Sequence, residues 1–568
     1  MTTSVRHRAH TGTDHTRRAV WSAVRKPSVA VSHGRVAAMP RARLVRYTGL
    51  AGSLLLALAA QLGGATWPWQ PTMTPRTVFA GTDGVLLPLS WLLGTGLLIG
   101  AWWLGRTSVP SLRWAYVTAA LWAAPLLPVL PLGSYDVYSY ACQGYALAAG
   151  HDPYAAGVSV LGCPWADAVA PTWRAAPAPY GPVFLLLAAG AAKVGGGLAG
   201  TVAVLRVLAV LGVVLVGLCL PVLARRHGVP PERAVWLVLA CPLVAVHLVA
   251  GAHNDAVMVG LLVAGLAVAA AVGTTLPGSR LDRPAARIGL LASAGVLLGL
   301  AVGVKVTAVV VLPFAVLAAV ESRPGGRRAG RDAVDSGLGG RRAGRDVVDS
   351  GLGGRRAGSD AVESGLGGGM ADRAALRALL RPGAVLAAGA AGALAAVSLV
   401  AGLGFGWVRN LADSGVSVQW TSPPTAVGLS VSALARVFGA DVDAVPVARL
   451  LGVAALAAVL AVLWWRARGG GALLGAGLAL AATVGLAPVF HPWYLVWPLA
   501  VLAATAAGGH RWLAAACAVA AALCLPDGYN LALATRVQGA FAVTALLVVM
   551  LVVPLVRARR RVPVRTGS

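Results

Sequence analysis

Only twenty of the 568 residues are acidic, so the carboxylates able to do proton chemistry can be weighed one at a time. Asp136 has the most suggestive context. It lies in PLGSYDVYSYACQGYALAAGHDPY (131–154), just after a long apolar run, with Tyr135, Tyr138, Tyr140 and Tyr145 around it. A carboxylate held at a helix end beside a membrane surface loses part of its hydration, which raises its pKa towards the range of a working general base. Such a base suits removal of a proton from a sugar hydroxyl, and the tyrosines suit stacking on that sugar or hydrogen bonding to it. An interfacial aromatic belt with a helix-capping aspartate would use the same residues.

A second polar cluster, His253, Asn254 and Asp255, sits in GAHNDAVMVG (251–260) between two apolar segments. A simple outward turn would also favour Asn-Asp there. Lys305 interrupts LGLAVGVKVTAVVVLPF (298–314). At the bilayer centre a lysine costs a few kcal/mol; at the outer end of a helical hairpin it can face a phosphate or snorkel to the interface. HPWYLVWP (491–498) opens a helix with Pro492 in its first turn. His491 is either ligand-facing or passive there, and Trp493, Tyr494 and Trp497 suit an aromatic belt. Trp420 stands in QWTSPPTAVG (419–428), a turn before an amphipathic helix. The six cysteines show no CxxC or Cys/His spacing of a zinc site. No glycine-rich nucleotide fingerprint is present.

The elements that must position these residues are read from hydropathy. The chain is 58% hydrophobic, with a mean hydropathy of +0.75; soluble domains sit near about 45–50% apolar. Apolar runs recur at about 43–63, 85–105, 113–132, 203–224, 233–250, 255–274, 288–304, 306–320, 383–402, 447–465, 471–489, 493–508, 511–525 and 537–556, most of them long enough to cross a ~30 Å hydrocarbon core as a helix. The ~10-residue alternation of a transmembrane barrel is missing. The expected fold is therefore all-α: a polytopic integral membrane protein of about fourteen transmembrane helices, with a long outer loop after the third.

The net charge of +27 would suggest nucleic acid in a soluble protein. Here the basic residues sit in the tails, one long loop and the short turns, as the positive-inside rule places them. Arg106, Arg113, Arg225, Arg226, Arg233, Arg280, Arg283, Arg287, Arg466, Arg468 and Arg511 then face the cytoplasm, and no nucleic-acid partner is expected. This holds if 180–198 lies in the interface rather than spanning. Both termini are then cytoplasmic, and Asp136, the 251–255 cluster, Lys305 and His491 share the outer face. Cys142 and Cys163 fall in one outer loop, either as a disulfide or as two thiols.

The expected organisation is a disordered basic cytoplasmic tail (1–42), an N-terminal membrane module (43–320) with outer loop 133–202, and a cytoplasmic Gly/Arg/Asp-rich linker (321–381). A C-terminal membrane module (382–556) with outer loop 403–446 and a basic cytoplasmic tail (557–568) follow. Met39 is a second possible start. The linker holds three 14-residue units, RRAGRDAVDSGLGG, RRAGRDVVDSGLGG and RRAGSDAVESGLGG, which are too poor in apolar residues to form a core.

Taken together, DVYSYACQGYALAAGHDPY (136–154), APYGPVF (178–184), HLVAGAHNDAVM (247–258), GVKVTAVVVLPF (303–314), WTSPPTAVG (420–428) and HPWYLVWPL (491–499) resemble the polyprenol-phosphomannose-dependent α-1,6-mannosyltransferases of actinobacterial lipoglycan synthesis. These belong to the GT-C class of multi-helix membrane glycosyltransferases. The resemblance covers about 130–500 and excludes the N-terminal tail and the repeats. It implies a GT-C-like architecture in the plasma membrane, a polyprenyl phosphomannose donor, a lipid-linked mannan acceptor and the bilayer as partners. It also implies Asp136 as catalytic base. The expected substrate-binding set is Tyr138, Tyr140, Arg174, Tyr180, His253, Asn254, Asp255, Lys305, Trp420, His491 and Trp493. Within it Lys305, Arg174 and His491 are the candidates to stabilise a leaving phosphate. Some members of the class pair two acids where SYDVYSY has Asp136 alone, which leaves a divalent metal requirement open; no other cofactor is implied. Two rival readings are a transferase of another polyprenyl-phosphate sugar such as arabinofuranose, and a transporter or flippase. The second would show an internal two-fold repeat and polar residues at mid-membrane, and neither is seen.

Overall fold

The computed structural model describes residues 30–70, 74–77, 79–80, 84–273, 279–321, 360–411, 415, 417–509 and 511–560. Among them the chain is all-helical, with one isolated bridge between Cys524 and Asn530. The helices used below are α1 (Ala30–Gly63), α2 (Leu86–Gly105), α3 (Leu112–Ala123), α4 (Asp136–Ala148), α5 (Pro182–Gly195), α6 (Leu198–Arg226), α7 (Pro231–Leu239), α8 (Asp255–Val272), α9 (Pro284–Val304), α10 (Leu312–Val320), α11 (Asp360–Ala401), α12 (Pro423–Val437), α13 (Val445–Ala467), α14 (Ala472–Leu486), α15 (Val496–Leu502), α16 (Arg511–Ala521) and α17 (Arg536–Arg560).

Every apolar run falls on helix, but length divides them. Among the described residues eight helices are long and apolar enough to cross a membrane. A ninth span arises if α7 and the π-helical segment Val244–Ala250, bent by 64°, count as one. The remaining runs are shorter helices, and prolines account for several of the stops. The run at 113–132 leaves helix after Leu126, in a stretch holding Pro125, Pro128 and Pro131. The run at 306–320 begins as a 3-10 segment, Val306–Val311, before Pro313 opens α10. Proline removes a helical hydrogen bond and clashes with the preceding turn.

The core is built by α6, α8 and α9, each packed on the next, with α11 lying on α9, α4 on α5 and α1 on α2. Small residues permit the closest approaches. A Cβ on Gly212 would collide with the Ala256 backbone, and one on Gly299 with the Ala390 backbone. By contrast α13 and α17 leave apolar side chains outward, among them Leu450, Leu451, Leu546 and Leu551. In a bilayer that surface is lipid-facing.

Two boundaries differ from the expectation. Helix α1 starts at Ala30, inside the segment read as a basic tail, and α11 starts at Asp360, inside the third repeat. Residues 1–29, the first two repeats, and 561–568 lie outside the described residues. Cys142 and Cys163 are joined as a disulfide, which ties α4 to the loop after it.

Candidate active site

Asp136 opens α4 directly after a turn. Gly133 takes φ +75°, a conformation that favours glycine. Its N–H donates to Pro526 O at 2.7 Å, which pins the turn to the 526–530 loop. The Ser134 hydroxyl accepts the Asp136 N–H at 3.0 Å. Tyr135 and Tyr138 tie this turn to the end of α1: the Tyr135 hydroxyl accepts the Thr66 N–H at 3.2 Å, and Tyr138 donates to Ala65 O at 2.6 Å. The Asp136 side chain remains 21% exposed within this packed frame.

The turn before α8 is buried rather than outward. His253, Asn254 and Asp255 are almost without solvent contact, and Ala252 sits at φ 51°, unusual for a residue with a Cβ. Asp255 is fully engaged. Its Oδ1 accepts from Lys305 Nζ at 2.9 Å and from Trp497 Nε1 at 2.6 Å, and its Oδ2 accepts from Lys305 at 3.1 Å. Lys305 sits where α9 breaks into Val306–Val311, 4.4 Å from the Tyr494 ring centroid and 5.1 Å from that of Trp497. A buried cation is tolerable when paired in this way.

His253 stands between the two acids. Its Nδ1 is 3.7 Å from Asp136 Oδ2, 4.0 Å from Asp255 Oδ2 and 3.4 Å from the Tyr140 hydroxyl. Burial, followed by His247 and Lys305, holds its pKa well below the usual histidine range. The ring is therefore neutral, and its approach to Asp136 is not an ion pair. An aromatic wall closes the site: Trp493 packs on His253 at 4.2 Å and stacks with His491 at 4.7 Å, while Tyr140 meets Tyr180 edge-on at 5.3 Å.

The electrostatics separate the charged groups. Burial lifts Asp136 to about 6, against the opposing pull of Lys305 and Ser134. Burial pushes Lys305 down, yet Asp255, Tyr494 and Asp136 hold its pKa above the ordinary lysine value, so it stays charged. Burial, then Lys305, depresses His491 to about 3. Both Asn254 amide atoms and His253 Nε2 are buried without a partner among the described residues. Buried polar atoms in native proteins are nearly always satisfied, so these are positions for a hydrogen-bonding ligand or water. Among the described residues no group of three or more His, Cys, Asp or Glu is placed to hold a metal ion.

Asp136, Tyr140, Tyr180, His253, Asn254, Asp255, Lys305, His491 and Trp493 therefore converge. Three other members of the expected set have different contacts. Tyr138 spends its hydroxyl on Ala65 O. Arg174 donates to Val169 O and Asp167 O, within its own loop. Trp420 donates to Thr535 Oγ1 and packs on α17 at Gly539. The loop holding Trp420 still bears on the site, because Thr421, Ser422 and Thr425 donate to the carbonyls of Phe490, Ala487 and Pro488, just before His491. Sequence reasoning missed the roles of Tyr494 and Trp497, which looked like an interfacial belt and instead surround Lys305 and Asp255. It also passed over Arg206, a charge inside an apolar run, which was the available signal.

Membrane-length helices whose ends gather an aspartate, a neutral histidine and an aromatic wall define a polytopic membrane protein with an enzyme-like pocket. Comparison with known proteins supplies the rest. The family profile of the alpha-(1->6)-mannopyranosyltransferase N-terminal domain matches residues 46–321, and that of the MptB C-terminal domain matches 424–554. Alpha-(1->6)-mannopyranosyltransferase A of Mycobacterium tuberculosis is 32% identical over 82% of this chain and 81% of its own length. Alpha-(1->6)-mannopyranosyltransferase B of Corynebacterium glutamicum is 29% identical over 81% of this chain and 73% of its own. No solved structure matches. The chain belongs to the alpha-(1->6)-mannopyranosyltransferase family, and it is a membrane mannosyltransferase.

Proposed function

We propose that the protein moves mannose from a polyprenyl phosphomannose donor to a lipid-linked α-1,6-mannan acceptor, with inversion, on the outer face of the plasma membrane, both termini being cytoplasmic. The observation that carries this reading is Asp136: a carboxylate lifted to about 6, reachable from solvent, in a pocket whose other acid is already neutralised by Lys305. Asp136 takes the proton from the acceptor 6-hydroxyl. The oxygen bonds to the anomeric carbon as the bond to the phosphate oxygen breaks, and polyprenyl phosphate leaves with the electron pair. A β-linked donor gives an α-mannoside.

Asn254 and His253 Nε2 supply hydrogen bonds for sugar hydroxyls, and Trp493 and Tyr140 supply faces for the ring. Lys305 keeps a third N–H beyond its pairing with Asp255, which it can direct at the leaving phosphate. Arg174 holds its loop instead. A lipid donor also needs a place for its chain. An apolar cavity of about 460 Å³ lies among α3, α6, α7 and Val244–Ala250, lined by Trp122, Leu127, Val214, Leu218 and Val249. It leads along the segment that ends at the 251–255 turn.

Membranes containing the protein, given labelled polyprenyl phosphomannose and a short α-1,6-mannoside, are expected to yield a product cleaved by an α-1,6-mannosidase. Transfer from nucleotide-linked mannose with no lipid donor would contradict the donor assignment. Transfer only from a polyprenyl-phosphate arabinofuranose would overturn the sugar.

A further inference from the structure

We infer that Arg206 is the positioning residue of this active site: one guanidinium fork fastens the two backbone segments that carry Asp136 and Asp255. Arg206 lies about two turns inside α6, a 29-residue apolar helix long enough to span, and is 8% exposed. An arginine there is costly unless its donors are used. Nη1 donates to Leu127 O at 2.6 Å and Nη2 donates to Ala250 O at 2.8 Å, while Nε is buried without a partner among the described residues.

Both acceptors are carbonyls at helix ends. Leu127 caps the 3-10 turn that follows α3, and Ala250 is the last residue of the π-helical segment Val244–Ala250. Helix C-terminal carbonyls lack an intrahelical partner and carry partial negative charge, so a cation shared between two of them satisfies both at once. The chain leaving Leu127 reaches Asp136, and the chain leaving Ala250 reaches Asp255. Beyond the clamp the segments remain in register. A Cβ on Gly133 would meet the His247 ring at 2.9 Å, one on Gly251 would meet Leu132 O at 3.0 Å, and Asp136 faces His253 at 3.7 Å. Arg206 therefore closes the base of a wedge whose tip is the reacting carboxylate. A displacement of about 1 Å at such a tip can cost about 10²-fold in rate.

The geometry asks for a planar fork and not merely a charge, which separates Arg206 from a phosphate-binding cation. Lysine is a point charge without that fork. The inference rests on Asp136 as base, so the test carries Asp136→Asn beside Arg206→Lys and Arg206→Gln. In full-length protein reconstituted in vesicles, both Arg206 variants are expected to insert and to lose about 10–100-fold in kcat, with KM for donor and acceptor within about threefold of wild type. Hydrogen exchange should rise together in 127–136 and 250–256. Wild-type kcat in Arg206→Lys would reduce the role to charge and overturn the clamp. Wild-type kcat in Arg206→Gln would remove it altogether. A raised KM with unchanged kcat would make Arg206 a substrate contact, and failure of both variants to insert would make it purely architectural; each contradicts the inference. Full activity in Asp136→Asn with coupled exchange in the Arg206 variants would overturn the base and leave the clamp standing.

Discussion

Asp136 and Asp255 invite comparison. Each opens a helix, each follows a tight turn with an unusual backbone conformation, and each lies about 4 Å from His253 Nδ1. Their fates differ. Asp255 has no solvent contact and is committed to Lys305 and Trp497. Asp136 keeps a fifth of its side-chain surface open, with the neutral His253 ring 3.7 Å from its Oδ2 and with Lys305 and Ser134 drawing its pKa down against burial. The lesson is that in a desolvated pocket one acid can be spent on fixing the local charge so that the other stays available for proton transfer.

The comparison can be broken at the ion pair. Asp255→Asn strands a buried lysine and Lys305→Met strands a buried carboxylate, so each single change is expected to cost about 3–5 kcal/mol of stability. The double change, which removes both charges, should fall well short of the sum when thermal unfolding is followed in detergent. Additive costs would show that the pair is not coupled. A smaller effect concerns the frame around Asp136. Removing the Cys142–Cys163 disulfide, which closes a loop of sequence separation 21, should cost about 3 kcal/mol by chain entropy; an unchanged unfolding midpoint after Cys142→Ala/Cys163→Ala would show that α4 is held by packing alone. The smallest effect is on pH dependence. A base must be deprotonated to act, so kcat/KM should fall as pH drops through about 6. Lys305 lowers the Asp136 pKa more than Asp255 raises it. Removing both in Lys305→Met/Asp255→Asn should therefore move that acid limb to higher pH by a fraction of a unit, and a downward shift would invert the assigned electrostatics.

Hydropathy made the helical membrane fold legible, since backbone groups in lipid leave few alternatives. It could not say which helices face lipid. Helices α8 and α13 share a mean hydropathy of 2.3 over their most apolar stretches, yet 72% of the first stretch and 6% of the second are buried. Both are apolar all round, so no amphipathic stripe marks the core side. Asp136, Asp255, Lys305 and His491 were legible because polar residues are scarce in such a sequence. The pairing of Lys305 with Asp255 was not, since it joins residues 50 apart and depends on where α9 breaks. Trp497 misled for the same reason: an indole at a bilayer interface and an indole donating to a buried carboxylate read alike in sequence. Arg174, nominated as a phosphate partner, and Trp420, nominated by its motif, both make scaffolding contacts instead.

The most direct measurement is mannosyl transfer by Asp136→Asn and by Lys305→Met/Asp255→Asn in the same membranes, with equal amounts of inserted protein. Loss of a general base is worth about 10²–10⁴-fold. The account predicts that loss for Asp136→Asn, while the charge-free double variant, which keeps the base but loses the Lys305 N–H at the leaving phosphate, falls by about 10²–10³-fold and retains measurable transfer. Transfer that survives Asp136→Asn but disappears in the double variant would contradict it and make Asp255 the working acid.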